Sequence, residues 1–251
     1  MNRDITSIRL TELSPLLKLV FTLFLMTMLL AYGVSMLNLY LTYHLTDGKP
    51  GLTVEDLRRA FYGNRNQTLL ASKIDGGSMA QFLPKPGEKE LILSWLQDGA
   101  TREGYEKVKP IFDSRCITCH QPKRLMWKRP LTSYELVSAV TAVDRGEPIG
   151  LWARVAHTHL MSLGIVFFCL SIIFSFCGVK QRYKAFFMPL PFIALFADFG
   201  ARAMIKYVPA FVYVMVFTGA LMGFSILMLT LAPLYEMWIR GRKKGTAGDG
   251  S

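Results

Sequence analysis

The chain has 251 residues, of which 51% are hydrophobic and 19% are charged. This composition indicates a membrane protein that carries one small soluble module. The formal net charge of +11 comes from basic residues that cluster beside apolar runs, which favours membrane topology over nucleic-acid binding. Four unevenly placed cysteines exclude a disulfide scaffold, and Cys169 and Cys177 lie in an apolar run where free cysteine acts as a packing residue.

Four apolar segments reach or approach the roughly 20 residues that a helix needs to cross a hydrocarbon core. In chain order they cover about residues 16–37, 159–177, 185–205 and 210–238. The first is too long for a secretory signal and no small-x-small cleavage site follows it, so we expect a retained signal anchor. The sequence therefore predicts an integral membrane protein with about four transmembrane helices.

Lysine and arginine in the short flanking segments predict the orientation. They precede the first span, join the second to the third and follow the fourth, at Arg3, Arg9, Lys180, Arg182, Lys184, Arg240, Arg242, Lys243 and Lys244. All three sets fall on one side, which we expect to be the cytoplasm of a bacterium, with both termini inside and the segment after the first span in the periplasm. The predicted organisation is a cytoplasmic N-terminus with the first span (1–44), an external haem domain (45–153), a three-helix membrane unit (154–240) and a disordered tail (241–251).

The external segment shows short helical patterns and no β alternation of any length, which predicts an all-α domain. Thr53 with Asp56, and Thr132 with Glu135, have the spacing of capping boxes that begin helices. Two apolar faces at helical spacing each need a packing partner, and they comprise Leu91, Ile92, Trp95 and Leu96, and Tyr105, Val108, Ile111 and Phe112.

Residues 116–120 read CITCH, the C-x-x-C-H pattern of c-type haem attachment. The thiols of Cys116 and Cys119 can form thioethers to the two vinyl groups of one haem, and His120 can coordinate its iron. A redox dithiol would need a βαβ context, and half of a zinc site would need two further Cys or His ligands. Because haem c is attached outside the cytoplasmic membrane, where the charge rule places this segment, one covalent haem c is the predicted cofactor.

Residues 105–120, YEKVKPIFDSRCITCH, resemble the first helix and haem-binding turn of class I cytochromes c, including planctomycete-type cytochromes. Residues 68–79, TLLASKIDGGSM, with Pro84 and the segment 88–100 that contains Trp95, are similar to the distal-methionine loop and closing helix of the same family. The order is reversed relative to an ordinary member, as in a circular permutation, which is reasonable because termini of compact domains often lie close together. The resemblance covers about residues 53–125 and implies a cytochrome c-like helical domain.

The resemblance also implies His120 and Met79 as the axial ligands of the haem iron, a pair that raises the reduction potential. Ala80 follows Met79 where the family commonly has proline, so this loop departs from the family pattern. Other candidates for the distal ligand are Met126, His44, His157 and His159.

Polar residues near the predicted outer ends of the spans suggest two further sites. His44, His157 and His159 fall at one predicted depth and could hold a second haem or a metal ion, or could bind backbone and lipid groups at head-group level. Asp198, Arg202 and Lys206 share one face of the third span and could serve a proton path or a quinol site. Alternatively, Asp198 and Arg202 form an internal pair while Lys206 snorkels to the interface.

A basic patch follows the haem motif and could steer an acidic redox partner, neutralise haem propionates or contact anionic lipid; it comprises Lys123, Arg124, Lys128 and Arg129. The sequence thus predicts a membrane-bound mono-haem cytochrome that transfers electrons at the outer face of the cytoplasmic membrane, rather than a stand-alone enzyme. Its expected partners are lipids and either another membrane complex or a soluble cytochrome. The alternatives are a quinol-oxidising subunit with a second cofactor, and a haem-based sensor or assembly factor.

Overall fold

Helices account for the regular structure of this chain in a computed structural model that describes residues 9–122 and 129–240. In chain order they are α1 (Pro15–Tyr43), α2 (Val54–Phe61), α3 (Leu69–Ile74), α4 (Glu88–Gln97), α5 (Arg102–Ile111), α6 (Tyr134–Ser138), α7 (Ile149–Ser175), α8 (Gln181–Phe187), α9 (Leu190–Ile205) and α10 (Phe211–Tyr235). Short 3-10 turns lie at Leu10–Glu12 and Ala80–Phe82, and π-helical turns at Phe112–Cys116 and Glu236–Arg240 extend α5 and α10. In the described ranges, the one β pairing is a bridge between Thr68 and Val143. The predicted all-α class is confirmed.

Four helical segments of the described chain are long and apolar enough to span a membrane: Pro15–Tyr43, Ile149–Ser175, Gln181–Ile205 and Phe211–Arg240. At 1.5 Å per residue, each exceeds a hydrocarbon core of roughly 30 Å. The chain is therefore a multi-pass membrane protein, as predicted. The second span begins at Ile149 and not near residue 159, because an apolar run marks only the part of a helix that lies in hydrocarbon.

Spatial contacts divide the described residues into two compact units. The membrane unit comprises residues 9–39, 149–204 and 210–240, and the helical domain comprises residues 40–122, 129–148 and 205–209. The turn between α9 and α10 therefore falls in the helical domain. Arg65 donates a hydrogen bond to the carbonyl of Lys206 (2.5 Å), and the Lys206 ammonium donates to the carbonyl of Arg145 (3.5 Å).

Apolar side chains of α7, α9 and α10 form the core of the membrane unit. Phe167, Leu170, Leu195 and Leu229 are each at most 1% exposed. Cys177 lies in the same core, which agrees with its interpretation as a packing residue.

At one end of the membrane unit, the segment before α1, the α7–α8 connection and the end of α10 meet. The N–H of Leu10 donates to the carbonyl of Phe176 (3.2 Å), and the N–H of Gly178 donates to both carboxylate oxygens of Glu236 (2.8 Å each). These contacts bring together the connections that carry Arg9, Lys180 and Arg240.

Helices α4 and α5 supply most of the core of the helical domain. Ile92 and Trp95 of α4 pack with Tyr105, Val108 and Phe112, and each of these five residues is at most 4% exposed. The two predicted apolar faces are confirmed, except at Leu91, whose side chain is 43% exposed.

One of the two predicted capping boxes is present. The hydroxyl of Thr53 accepts a hydrogen bond from the Asp56 N–H at the start of α2, and the Asp56 carboxylate accepts one from the Thr53 N–H. The prediction at Thr132 is wrong, because Ser133 directly precedes α6 and its hydroxyl accepts the hydrogen bond from Leu136 (3.4 Å). The residue before the first helical turn is the one whose oxygen reaches that N–H.

Candidate functional site

Helix α5 positions the cysteine pair within the helical domain. Thr101 caps the start of α5 by accepting a hydrogen bond from the Gly104 N–H (3.2 Å). On the buried face, the rings of Tyr105 and Phe112 lie 5.9 and 6.3 Å from that of Trp95, measured between centroids. The π-helical turn that follows ends at Cys116. Packing of the aromatic face therefore fixes where the motif begins.

The C-x-x-C-H motif forms a tight turn. The carbonyl of Cys116 accepts hydrogen bonds from the N–H groups of Cys119 (3.2 Å) and His120 (2.9 Å). Cys116 is half-buried and packs against the domain core, whereas Cys119 is exposed, and both are free thiols. One short segment thus presents two thiols and an imidazole.

The imidazole of His120 is held by a backbone carbonyl. Its Nδ1 lies 2.7 Å from the carbonyl oxygen of Arg129. A carbonyl can only accept a hydrogen bond, so Nδ1 carries a proton, and in the neutral imidazole Nε2 then has the free lone pair. The backbone N–H of Leu131 also donates to the carbonyl of His120 (3.0 Å). Metal-binding histidines are commonly oriented by this kind of Nδ1 hydrogen bond.

The surroundings of Cys116 favour a neutral thiol. Burial raises the pKa of Cys116 to about 11, and the Glu88 carboxylate contributes to the increase. Glu88 is held in place by Arg115, whose guanidinium donates to both carboxylate oxygens at 3.1–3.2 Å. Redox dithiols work through a lowered thiol pKa. The environment of Cys116 therefore opposes the redox-dithiol alternative.

A tight turn after α3 positions Met79. The N–H of Met79 donates to the carbonyl of Lys73 (2.9 Å). Gly77 makes this turn possible, because a Cβ there would lie 2.3 Å from the carbonyl oxygen of Ser72. Met79 is half-buried and packs against the same core cluster as Cys116. The structure therefore brings the predicted distal ligand and the first attachment cysteine to one cluster.

Cys116, Cys119, His120 and Met79 have the side-chain types that a covalent haem would need. Two thiols, an imidazole with a free Nε2 and a thioether sulfur are the donor set of a His/Met c-type haem. A structural zinc site needs four protein ligands. In the part of the chain that the structure describes, no three His, Cys, Asp or Glu side chains cluster as a metal site would require.

The histidines of the predicted second site lie in different units. His44 directly follows α1 in the helical domain, where its ring stacks on Tyr40 at 4.6 Å and its Nδ1 lies 2.9 Å from the Tyr40 carbonyl. His157 and His159 are exposed residues of α7 in the membrane unit, about 200° apart around the helix. The ring of His159 lies 6.2 Å from that of Phe199 on α9. A second haem or metal at these residues stays a prediction.

The charged face of the third span is anchored to α10. The half-buried Asp198 carboxylate accepts a hydrogen bond from the Thr218 hydroxyl (3.2 Å). Arg202 lies one turn further along α9, and its predicted pairing with Asp198 stays a prediction. Lys206 contacts the helical domain through Arg145, as described above.

Parts of the predicted basic regions lie outside the described residues. This applies to Met126 and to the basic residues Arg3, Lys123, Arg124, Lys128, Arg242, Lys243 and Lys244. Arg129 is described, and its contact with the C-x-x-C-H motif is made by its backbone carbonyl.

Two features of the site were not found by sequence reasoning. The carbonyl that orients His120 has no signature, because every residue carries one. The Glu88–Arg115 pair joins residues far apart in the chain, and only their contact across α4 and the end of α5 reveals it.

Residues 148–244 match the model of a family described as a transmembrane helical domain. The match covers the second, third and fourth spans, which supports the membrane assignment of this region. No curated protein and no solved structure matches the chain significantly.

Proposed function

We propose that this protein is a membrane-bound c-type cytochrome that carries one covalent haem on its helical domain and mediates electron transfer. Cys116 and Cys119 form the thioether links, His120 is the proximal iron ligand, and Met79 is the distal ligand. The observation that carries the proposal is the hydrogen bond from His120 Nδ1 to the Arg129 carbonyl (2.7 Å). It leaves Nε2 of His120, which directly follows Cys119 in the chain, as the nitrogen that can bind iron.

The chain's own residues hold and orient the cofactor. The turn at residues 116–120 fixes the thiols relative to the imidazole, and the Arg129 carbonyl increases the electron donation of His120. Met79 would supply a sulfur ligand that raises the reduction potential. The bound haem supplies one-electron chemistry, as its iron alternates between ferric and ferrous states.

The proposed location is the outer face of a bacterial cytoplasmic membrane, with the helical domain in the periplasm and both termini in the cytoplasm. The grouping of the α9–α10 turn with the helical domain supports this topology, because both would lie on one side of a four-span chain. The basic residues before α1, between α7 and α8 and at the end of α10 support a cytoplasmic assignment of the end of the membrane unit that they share. Four spans exceed what tethering requires, so we propose a larger redox complex or a soluble cytochrome as the partner.

Haem attachment is tested by haem staining of the denatured protein, by intact mass and by a pyridine haemochrome spectrum. We expect one haem per chain in the wild type. In Cys116→Ser and in Cys119→Ser, the haem should be held by only one thioether bond or be lost. Cys169→Ser in the membrane unit is the matched control and should keep the full haem mass. A wild-type chain without the mass increment of a porphyrin would sink the proposal.

The distal ligand is tested separately with Met79→Ala. We expect this variant to keep its covalent haem and to lose the sulfur-to-iron band at the red end of the oxidised spectrum. An unchanged spectrum that keeps this band would move the distal ligand to Met126, whereas a wild-type spectrum without the band would move it to a histidine, with His44→Ala, His157→Ala and His159→Ala as the next variants. A five-coordinate spectrum in the wild type that responds to added small ligands would favour the sensor alternative.

A quinol-oxidising subunit is a second candidate function. The observation that favours it is the meeting of α7, α9 and α10 at one level, where His159 lies against Phe199 and the adjacent Asp198 binds Thr218. Intramembrane ionisable groups usually mark ligand or proton sites. Quinol-dependent haem reduction that is lost in Asp198→Asn, with the haem spectrum unchanged, would establish this function. No reduction by quinol in the wild type would exclude it.

A further inference from the structure

A cleft of about 460 Å³ opens in the membrane unit between the end of α7 and helix α8. Its position is unrelated to the haem motif, because it lies where one span ends and the next begins. Its lining combines polar residues, Ser175, Gln181 and Lys184, with the less polar Phe176, Ala185, Met188 and Pro189. We infer that this cleft binds one anionic phospholipid, with the phosphate at Lys184 and an acyl chain along the apolar residues.

Lys184 provides a fixed cation. Its ammonium donates a hydrogen bond to the carbonyl of Ser175 (2.5 Å), which is one of the last carbonyls of α7. An ammonium has three donors, so two remain for a ligand. The side chain is half-buried, and no acidic residue is found among the described residues that line the cleft. Glu236 is not among the residues that line the cleft, and its carboxylate accepts the Gly178 N–H.

The ligand class follows from depth and chemistry. The ends of two spans place the cleft at the level of lipid head groups, where a phosphate and the start of an acyl chain lie together. Lys184 and Gln181 match a phosphodiester, and the side chains of Phe176 and Met188 match hydrocarbon. The volume lies within the range of small-molecule sites, roughly 300–1,000 Å³. Basic connections at the same end of the unit, including Lys180 and Arg182, favour an anionic lipid over a zwitterionic one.

The experiment uses the full-length protein, purified in mild detergent and stripped of lipid. Binding of tail-labelled phosphatidylglycerol and phosphatidylcholine is measured in mixed micelles, together with native mass spectrometry of the unstripped protein. We expect one retained anionic lipid and an affinity for phosphatidylglycerol about tenfold above that for phosphatidylcholine, as one charge-assisted contact would give.

Three variants test the assignment. Lys184→Gln should lower the affinity for phosphatidylglycerol about tenfold and that for phosphatidylcholine by less, because the choline ammonium already offsets the charge of its own phosphate. Lys180→Gln removes an equal charge nearby without touching the cleft and should bind as the wild type does. Ala185→Trp keeps the Lys184–Ser175 contact but fills the cleft, and should weaken the binding of both lipids.

Equal affinities for the two lipids, equal losses in Lys180→Gln and Lys184→Gln, or unchanged binding in Ala185→Trp would each overturn the inference. Complete displacement of phosphatidylglycerol by inorganic phosphate at the same concentration would also overturn it, because the site would then recognise phosphate without the lipid chain.

Discussion

Gly77→Ala is expected to destabilise the helical domain and to displace Met79. A Cβ at position 77 would lie 2.3 Å from the carbonyl oxygen of Ser72 and 2.9 Å from both the Cα and the carbonyl oxygen of Lys73. All three atoms are backbone atoms of α3, so no side-chain rotation can relieve the contact. The backbone at position 77 must therefore move away from that of Ser72 and Lys73 by several tenths of an ångström or more. The Lys73 carbonyl also accepts the hydrogen bond from Met79, so the separation acts directly on that turn.

The expected cost is about 1–3 kcal/mol, which is typical of overpacking in a close-packed interior. For a domain of this size, the thermal midpoint falls by roughly 4–8 °C for each kcal/mol. Thermal unfolding of the purified protein, followed by tryptophan fluorescence, measures this loss. The oxidised optical spectrum of the same sample tests the proposed Met79 ligand, whose expected sulfur-to-iron band should weaken.

Gly150→Ala is the matched control. Position 150 lies in α7, and a Cβ there would meet nothing within 4 Å. Alanine is the better helix former by roughly 0.5–1 kcal/mol, so this variant should be as stable as the wild type or slightly more stable. A thermal midpoint of Gly77→Ala equal to that of the wild type would contradict the predicted backbone clash. A lowered midpoint with an intact sulfur band would refute the link between this turn and the distal ligand.

Three further predictions concern the core, the pH response and the membrane unit. Phe112→Ala removes a completely buried ring and should cost about 3–5 kcal/mol in chemical denaturation of the helical domain; a cost under 1 kcal/mol would contradict the assigned core. Hydrogen bonds from Arg58 lower the pKa of Glu55 from 4.5 to about 2. Because the folded-state value is the lower one, its stabilisation is present above about pH 4.5 and is lost as the pH falls to about 2. After solvent screening this is at most about 1 kcal/mol, and the difference between the wild type and Glu55→Gln should vanish over that window. Glu236→Ala leaves the Gly178 N–H without its acceptor and should cost about 1–3 kcal/mol, seen as a lower thermal midpoint in detergent; an unchanged midpoint would show that water replaces the carboxylate.

The membrane spans and the α5 face could be predicted because their signals are local. A helix crosses hydrocarbon only when a long run of residues is apolar, so the run itself reveals the span. Tyr105, Val108 and Phe112 recur at helical spacing, and a helix with such a face must bury it. The apolar run predicted a start of α7 near residue 159, whereas the helix begins at Ile149, since a helix can continue into water beyond its apolar stretch.

Features that depend on contacts between distant residues could not be predicted. Ser133 and Thr132 are equivalent caps in the sequence, and the path of the chain into α6 selects Ser133. Likewise, the pattern of residues 68–79 suggested a methionine loop only through a resemblance, whereas the position of Met79 beside the core cluster of Cys116 comes from packing.

By itself, the sequence determined the all-helical membrane architecture, the four spans and the C-x-x-C-H motif, because each is written in a contiguous run of residues. Only the tertiary structure decided the orientation of His120, since its Nδ1 proton is bound by the carbonyl of Arg129, nine residues further along the chain. It also decided that the α9–α10 turn joins the helical domain, through Lys206. Backbone carbonyls and N–H groups are the same at every residue, so the partner of each becomes known only when the chain has folded.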